Sequence, residues 1–486
     1  MKKIIIFALA ISFSSIFSFA AKPKQVKDGS EIAIDYLNKS VSIYDKLQKL
    51  IWREAELGFI ETNSSNLLQK QLKENGFSVE ASVAGMPTAF VATYGSGSPV
   101  IGILAEYDAL PGLSQDTVPF IKPLVQGGNG HGCGHNLFGV GSTAGAIAIK
   151  QWLEQTKHSG TIKVFGSPAE EGGGGKVYLV REGAFKGVDV VLDWHPGGGN
   201  KVSTETGTAI QMVDFNFYGK SAHAAGSPDK GRSALDAVES FDYMVNMLRE
   251  HVPSSSRIHY IIANGGEAPN VVPAYARVSY YIRSPKRETL KELTTWINQA
   301  AQGAAIGTQT TVKAEIISGF YERLYNKSLA KLVQQKLEKV GGVIYNQRET
   351  VFANEIVKSL NEKDTILQNA IKVKPLAEEK PSLGGGSSDV GDVSWNVPTV
   401  SFSVAGFVPG SAGHSWQNVA AAGSTIGTKA AINAAKVFSF TAIDLFSNPK
   451  LIEEAKQEFD KRRGTDFKYE SLLGNRAPAL DYRVKK

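Results

Sequence analysis

Pro99-Val-Ile-Gly-Ile-Leu-Ala-Glu106 runs straight into Tyr107-Asp108-Ala-Leu-Pro111: a short, unbroken apolar run that stops at acidic residues. Without polar alternation such a strand is buried on both faces, and that environment belongs to a parallel sheet covered by helices. The design recurs twice. Thr161-Ile-Lys-Val-Phe165 leads to Pro168-Ala-Glu-Glu171, and Val188-Asp-Val-Val-Leu-Asp-Trp-His195 ends on a histidine. The stretches 137–155 and 176–183 between them read as helices. This alternation predicts an α/β sandwich with a mainly parallel sheet. Ligands of such sheets gather beyond the carboxyl ends of the strands, where all three runs place chemically capable residues.

From about Gln211 the pattern changes. Met212-Val-Asp-Phe-Asn-Phe-Tyr218 alternates like a half-exposed antiparallel strand. A helix over 232–250, strands over 258–263 and 275–283, a helix over 287–305 and a strand over 311–317 are predicted to follow. That order, β-α-β-β-α-β, is the ferredoxin-like unit. At 486 residues the chain is too long for one compact core. It is expected to divide into a discontinuous catalytic domain over 31–208 and 321–447 and an inserted α+β lid over 209–320. The remaining stretch, 448–486, reads as a surface helix and tail.

The first twenty residues read as a signal peptide: Lys2-Lys3, an apolar stretch to Phe19, and Ser18-Phe19-Ala20 as a small-x-small cleavage site. The apolar stretch is shorter than the ~20 residues of a spanning helix. Export to a periplasm or beyond is expected, with no membrane span. The net charge, 53 − 47 = +6, is diluted over the whole chain and excludes a nucleic-acid stripe. Hydrophobic residues at 42% and charged residues at 21% exclude a disordered chain.

The only cysteine, Cys133, forms no internal disulfide. In an oxidising compartment its thiol is a liability unless something occupies it. Four of the eight histidines, His131, His135, His195 and His414, lie beside glycine or proline. One such histidine is more often a surface or hydrogen-bonded residue. Four of them with the only thiol and the Glu170-Glu171 pair suit zinc or a related divalent ion. Cys133-Gly-His135 is too tight for a zinc-finger knuckle, which favours a catalytic site. Of two adjacent carboxylates, one can bind metal while the other acts as general base. Gly172 to Gly175 lacks the spacing of a phosphate loop, and no Gly-x-Ser-x-Gly elbow supports a serine hydrolase.

In order along the chain stand Ala105-Glu-Tyr-Asp-Ala-Leu-Pro111, Gly132-Cys-Gly-His-Asn136, Pro168-Ala-Glu-Glu171, His195, Ser221-Ala-His-Ala224, Asn270-Val-Val-Pro273 and Gly413-His-Ser-Trp416. This ordered set, spanning about 32–437, resembles the dinuclear-metal aminoacylase and carboxypeptidase family. Within it the chain is most similar to amidohydrolases that cleave N-acyl amino acids such as p-aminobenzoyl-glutamate. The resemblance implies a zinc-exopeptidase-like catalytic domain holding two divalent ions, zinc or manganese. It implies Cys133 as bridging ligand, Glu171 and His414 on one ion, and His135 and His195 on the other. Glu170 would be the catalytic base and Asp108 the orienter of a ligand. His223 would reach the site of a second subunit in a homodimer joined through the lid. Asn270 and Arg283 would hold the substrate's carboxylate, and the Gly384–Asp389 loop, with Gly385 and Ser387, would line the pocket. Asn136 stands where many relatives carry aspartate. The substrate expected is a small N-acyl amino acid or dipeptide. An aminoacylase or dipeptidase of other specificity and a non-catalytic binding protein are the alternatives; a binding protein has no need of Glu170.

Overall fold

The computed structural model describes residues 1, 29–360, 364–380 and 386–484. The signal-peptide reading, Met1 apart, and Gly385 lie outside the described residues. Eleven strands are described: β1 (Ser78–Ala81), β2 (Phe90–Ser96), β3 (Val100–Ala105), β4 (Gly160–Gly166), β5 (Val190–Gly197), β6 (Lys201–Val202), β7 (Ala209–Tyr218), β8 (Arg257–Asn264), β9 (Tyr275–Ser284), β10 (Thr311–Phe320) and β11 (Thr399–Ala405). The three apolar runs of the sequence are β3, β4 and β5, and their interior side chains are almost wholly buried.

Seven strands form the larger sheet, in the order β1-β2-β4-β3-β5-β11-β6. Only its centre is parallel: β4, β3, β5 and β11 run together, whereas β1, β2 and β6 pair antiparallel at the margins. A mainly parallel sheet is thus true of the middle and not of the edges. The reason is local. Only Gly97-Ser-Pro99 joins β2 to β3, far too short for the crossover that parallel strands need. The helices His135–Thr156 and Thr425–Ser447 pack on each other over this sheet. Their seam is made of small residues. A Cβ on Gly141 would lie 3.0 Å from the Ala431 carbonyl, and one on Gly145 would lie 3.1 Å from Phe438.

The second sheet, β10-β7-β9-β8, is wholly antiparallel. With the helices Ala234–Leu248 and Arg287–Thr308 it makes the ferredoxin-like lid, with its own core around Phe215, Phe241, Tyr280 and Ile297. Aromatic packing is dense there: the Phe215 and Phe241 ring centroids stand 4.8 Å apart. Strands β8 and β10 are the two edges of the lid sheet.

The C-terminal stretch is less superficial than its charge suggests. The helix Pro449–Arg463 buries Ile452, Ala455 and Phe459. The chain beyond it buries Leu472 and Leu473. It packs because its few apolar residues are spaced to reach the seam between lid and main sheet.

One buried cation ties the loops beyond β3 and β4 to the rest. Lys176, in the helix Gly175–Arg181, has its Nζ 2.6 Å from Glu106 and 2.7 Å from Asp389, all three side chains being buried. Asp389 also accepts the Lys176 backbone N–H at 2.9 Å. Removing one partner of such a network strands the others' charge. Lys176→Met is therefore expected to lower stability by about 3–5 kcal/mol, read by denaturant unfolding followed by circular dichroism. A loss below about 1 kcal/mol, the ordinary scale of an exposed pair, would show that the network is solvated.

Candidate metal centre and active site

The four parallel strands all point their carboxyl ends at one place. Glu106 and Asp108 follow β3, the 168–171 loop follows β4, His195 lies near the end of β5, and the loop after β11 carries His414. The long loop after β3 returns with Cys133 just ahead of the helix His135–Thr156. Gly134 makes that entry possible. It sits at φ 77°, and a Cβ there would meet Pro196 at 2.7 Å and Phe407 at 2.9 Å.

Potential ligand atoms converge in three overlapping sets, each within 4.8 Å: Cys133, His135 and His195; Cys133, Glu171 and His414; Glu106, His135 and Glu170. Cys133 is shared by the first two. Its Sγ lies 3.5 Å from His195 Nε2, and His414 Nε2 lies 3.5 Å from Glu171 Oε1. All five residues expected as ligands therefore meet, with Glu170 beside them.

Their proton positions follow from their neighbours. His195 Nδ1 is 2.7 Å from the Pro196 carbonyl, an acceptor only, so Nδ1 carries the proton and Nε2 offers its lone pair towards Cys133. Burial, then His135, lowers the His195 pKa to about 3, so the ring is neutral. His135 Nδ1 faces Asp108 Oδ1 at 2.8 Å and the Asp108 carbonyl at 3.1 Å, which again aims Nε2 into the cluster. Against burial, the charges of Asp108 and Glu106 hold the His135 pKa well above the usual histidine range. Burial pushes the Cys133 thiol and the Glu170 carboxyl up; Glu106, Glu171 and Asp389 add to the rise at Glu170.

These residues fit a divalent ion pair. Glu171 Oε1, His135 Nε2 and Glu106 Oε2 are buried and lack a hydrogen-bond partner among the described residues. His135 Nε2 and Glu106 Oε2 do stand 3.1 Å apart, so the proximity is real although the hydrogen-bond geometry is not met. Buried polar atoms are seldom left so. A thiolate, imidazoles and carboxylates around them are the donor set of zinc and its neighbours.

Four hydrogen bonds from outside it hold the loop that carries Glu170 and Glu171. Ala169 adopts φ 58°, a left-handed conformation unusual for a residue with a Cβ. Its N–H donates to Glu61 Oε1 at 2.8 Å, and the Glu171 N–H donates to Asp108 Oδ2 at 2.9 Å. Asp108 thus orients His135 and Glu171 together. The Glu171 carbonyl accepts from Arg483 at 2.7 Å and Tyr482 at 3.2 Å.

A cavity of about 590 Å³ opens on the cluster and extends under the lid. Arg283 and Ser387 both line it, joined by a 3.1 Å hydrogen bond from the guanidinium. Lys201, Arg323 and Arg483 add further positive charge.

His223 and Asn270 are elsewhere. Both are exposed, outside the cavity lining, and next to one another: Ala224 N–H donates to the Asn270 carbonyl at 3.0 Å. The register explains it. Ala209 faces Ser284 and Tyr218 faces Tyr275 across the β7–β9 ladder. Arg283 is therefore at one end of the lid sheet and His223 beyond the other, about 30 Å away along a ten-residue strand. Asn270 goes with His223 and not, within one chain, with Arg283.

Glu61, Glu106, Lys176, Arg323 and the Tyr482–Arg483 pair were not legible as site residues. Only the run Gly-Gly-Gly-Gly-Lys176-Val-Tyr-Leu-Val carried a signal, a lone cation ahead of an apolar stretch. Asn136 has a plain reason to be an amide. Its Nδ2 donates to Gln48 Oε1 at 2.9 Å and to the Ala422 carbonyl at 3.3 Å, both acceptors that an aspartate would repel.

Residues 102–421 match the model of Peptidase family M20/M25/M40. The chain is 38% identical over 444 residues to a p-aminobenzoyl-glutamate hydrolase chain of Escherichia coli, covering 85% of this chain and 91% of that one. It is 31% identical over 435 residues to the human Xaa-Arg dipeptidase, covering 85% and 88%. A Bacillus subtilis dinuclear metal binding peptidase from the M20 family superposes with a TM-score of 0.56 at 17% identity, over 84% of this chain and 99% of that chain. With its site gathered at the carboxyl ends of four parallel strands and a ferredoxin-like lid above, this chain belongs to peptidase family M20/M25/M40 and is a metal-dependent amide-bond hydrolase.

Proposed function

We propose that the protein cleaves the amide bond of small N-acyl amino acids, p-aminobenzoyl-glutamate foremost, with two zinc or manganese ions per subunit. The observation that carries this reading is the sharing of Cys133 between two ligand sets with Glu170 alongside. Cys133, Glu171 and His414 would hold one ion, and Cys133, His135 and His195 the other. When bound, the ions supply Lewis acidity, polarising the amide carbonyl and making water a nucleophile near neutral pH.

The chain's own residues do the rest. Glu170 takes the proton of the attacking water and returns it to the departing nitrogen. Asp108 keeps the His135 proton on Nδ1. Arg283, steadied by Ser387, grips the free carboxylate of the substrate. Two further cations of the cavity, Lys201 and Arg323, favour a dicarboxylate such as an acyl-glutamate over an acyl amino acid with a neutral side chain. The dipeptidase reading stays second for that reason.

His223 and Asn270 serve the site of a partner subunit. Their place at the far end of the lid supports this, as does the free β8 edge with Ile261 67% exposed and Ile262 46% exposed. His223 Nδ1 accepts from the Ala225 and Gly226 N–H groups at 3.2 and 3.0 Å. That leaves Nε2–H as a donor for a developing oxyanion. Export through the first twenty residues is part of the same proposal.

Three outcomes test it. Glu170→Gln is expected to keep its metal, measured by elemental analysis, while kcat falls by about 10²–10⁴-fold. Wild-type turnover at full metal occupancy would remove Glu170 from the mechanism. Converting the substrate's free carboxylate to an amide is expected to lower kcat/KM by about tenfold or more, and to lower it far less in Arg283→Met. An equal loss in both enzymes would show that the carboxylate is held elsewhere. Inactive His223→Ala and inactive Glu170→Gln chains, unfolded and reassembled together, are expected to regain about a quarter of wild-type activity, since half the dimers are mixed and carry one intact site each. No recovery despite subunit exchange would confine His223 to its own chain.

A further inference from the structure

We propose that the C-terminal strap, residues 464–484, is a positioning element of the active site, with Arg483 and Tyr482 locking the peptide of Glu171 and so aiming the Glu170-Glu171 pair. The inference rests on the reading of those two residues as base and ligand.

The Glu170-Glu171 loop needs such a lock. It leaves β4 through Ala169 in a left-handed conformation and runs out into Gly172-Gly-Gly-Gly175, the most permissive backbone a chain can have. On the entering side the loop is held by Glu61 at Ala169 N–H and by Asp108 at Glu171 N–H. On the leaving side, where the glycines begin, the Glu171 carbonyl is held by Arg483 and Tyr482. Glu171 is thus gripped at both its backbone donor and its backbone acceptor. The acceptor side depends on residues more than three hundred positions away.

The strap is anchored well enough to do this. Gln211 of β7 donates to the Leu472 carbonyl at 2.9 Å, and Leu472 reaches into the lid core. Arg181 donates to the Gly474 and Arg476 carbonyls at 3.1 and 2.7 Å. The Tyr482 ring then packs edge-on against Phe59, with centroids 5.7 Å apart. It sits so close over Gly58 that a Cβ there would overlap its hydroxyl. Arg483 lies over the Tyr482 ring, 4.9 Å from its centroid, and lines the cavity. Both side chains meet the pair at the Glu171 carbonyl and act through it.

The test compares Arg483→Met, Arg483→Lys, Tyr482→Phe and a chain ending at Ala479, each loaded with metal. Two readouts are taken: amide hydrogen exchange of residues 170–175, and kcat and KM with p-aminobenzoyl-glutamate. Arg483→Met and the shortened chain are expected to exchange those amides about tenfold faster or more. Their kcat should fall by about ten- to a hundredfold with KM within about twofold. Arg483→Lys, which keeps one donor, should fall between, and Tyr482→Phe should show a smaller effect with an unchanged melting temperature. Unchanged exchange in Arg483→Met and the shortened chain would overturn the proposal, as would faster exchange with unchanged kcat. A wild-type enzyme inactive on acyl amino acids would sink the substrate reading alone, because the exchange measurement still judges the strap.

Discussion

The ammonium of Lys176 is the constraint on which the site is built. Taking it out of water costs several kcal/mol, and burial alone would push its proton off. The charges of Asp389 and Glu106 instead hold its pKa above the usual lysine range. Because Nζ occupies Glu106 Oε1, the other oxygen of Glu106 is turned towards His135. Because Asp389 binds both Nζ and the backbone N–H of Lys176, the Ser387 segment is pinned to the helix that follows the Glu170-Glu171 loop. One cation thus fixes a ligand's neighbour and a cavity wall.

The same charge makes the site's imbalance visible. Glu61, Glu106, Asp108, Glu170 and Glu171 crowd one region, with Lys176 as the buried cation facing them. Burial first, and mutual repulsion second, raises Glu61 to about 8, with Asp108 the repelling charge there. Burial raises Glu106 to about 7 even against Lys176 and His135. A protein that carries such carboxylates inside, with a thiol and three imidazoles among them, is arranged for more positive charge than its side chains supply. Divalent ions answer that imbalance. The cavity shows the opposite one: Lys201, Arg283 and Arg323 line it, so the region is acidic at the candidate ligand cluster and basic where a substrate carboxylate would enter.

What the sequence carried well was whatever has a period or a short spacing. β3, β4 and β5 were legible as unbroken apolar runs, and the lid's β-α-β-β-α-β order as a change from continuous to alternating hydrophobicity. The candidate ligands that the structure brings together were legible as chemistry beside glycine. Lost were the features decided by pairing across distance. The strand order of the large sheet, with β4 inserted between β2 and β3, depends on which strand inserts beside which. Glu61, Lys176 and Arg483 act through partners 108, 70 and 312 positions away. The tail looked superficial because a few apolar residues, Leu472 and Leu473 among them, do not make a periodic pattern.

His223 and Asn270 mark the same boundary from the other side. Their residue types suit an active site, and a linear reading groups Asn270 with Arg283, thirteen positions on. An antiparallel sheet separates residues so spaced along a strand to its opposite ends, since the strand runs the lid's full length. The three residues are therefore divided between the ends of one lid: Arg283 overhangs its own cavity, while His223 and Asn270 project from the far rim. A lid built this way uses both ends only if the far rim meets another site. With the β8 edge unpaired along the same sheet, the geometry that removes His223 from its own centre is also what would present it to a second one.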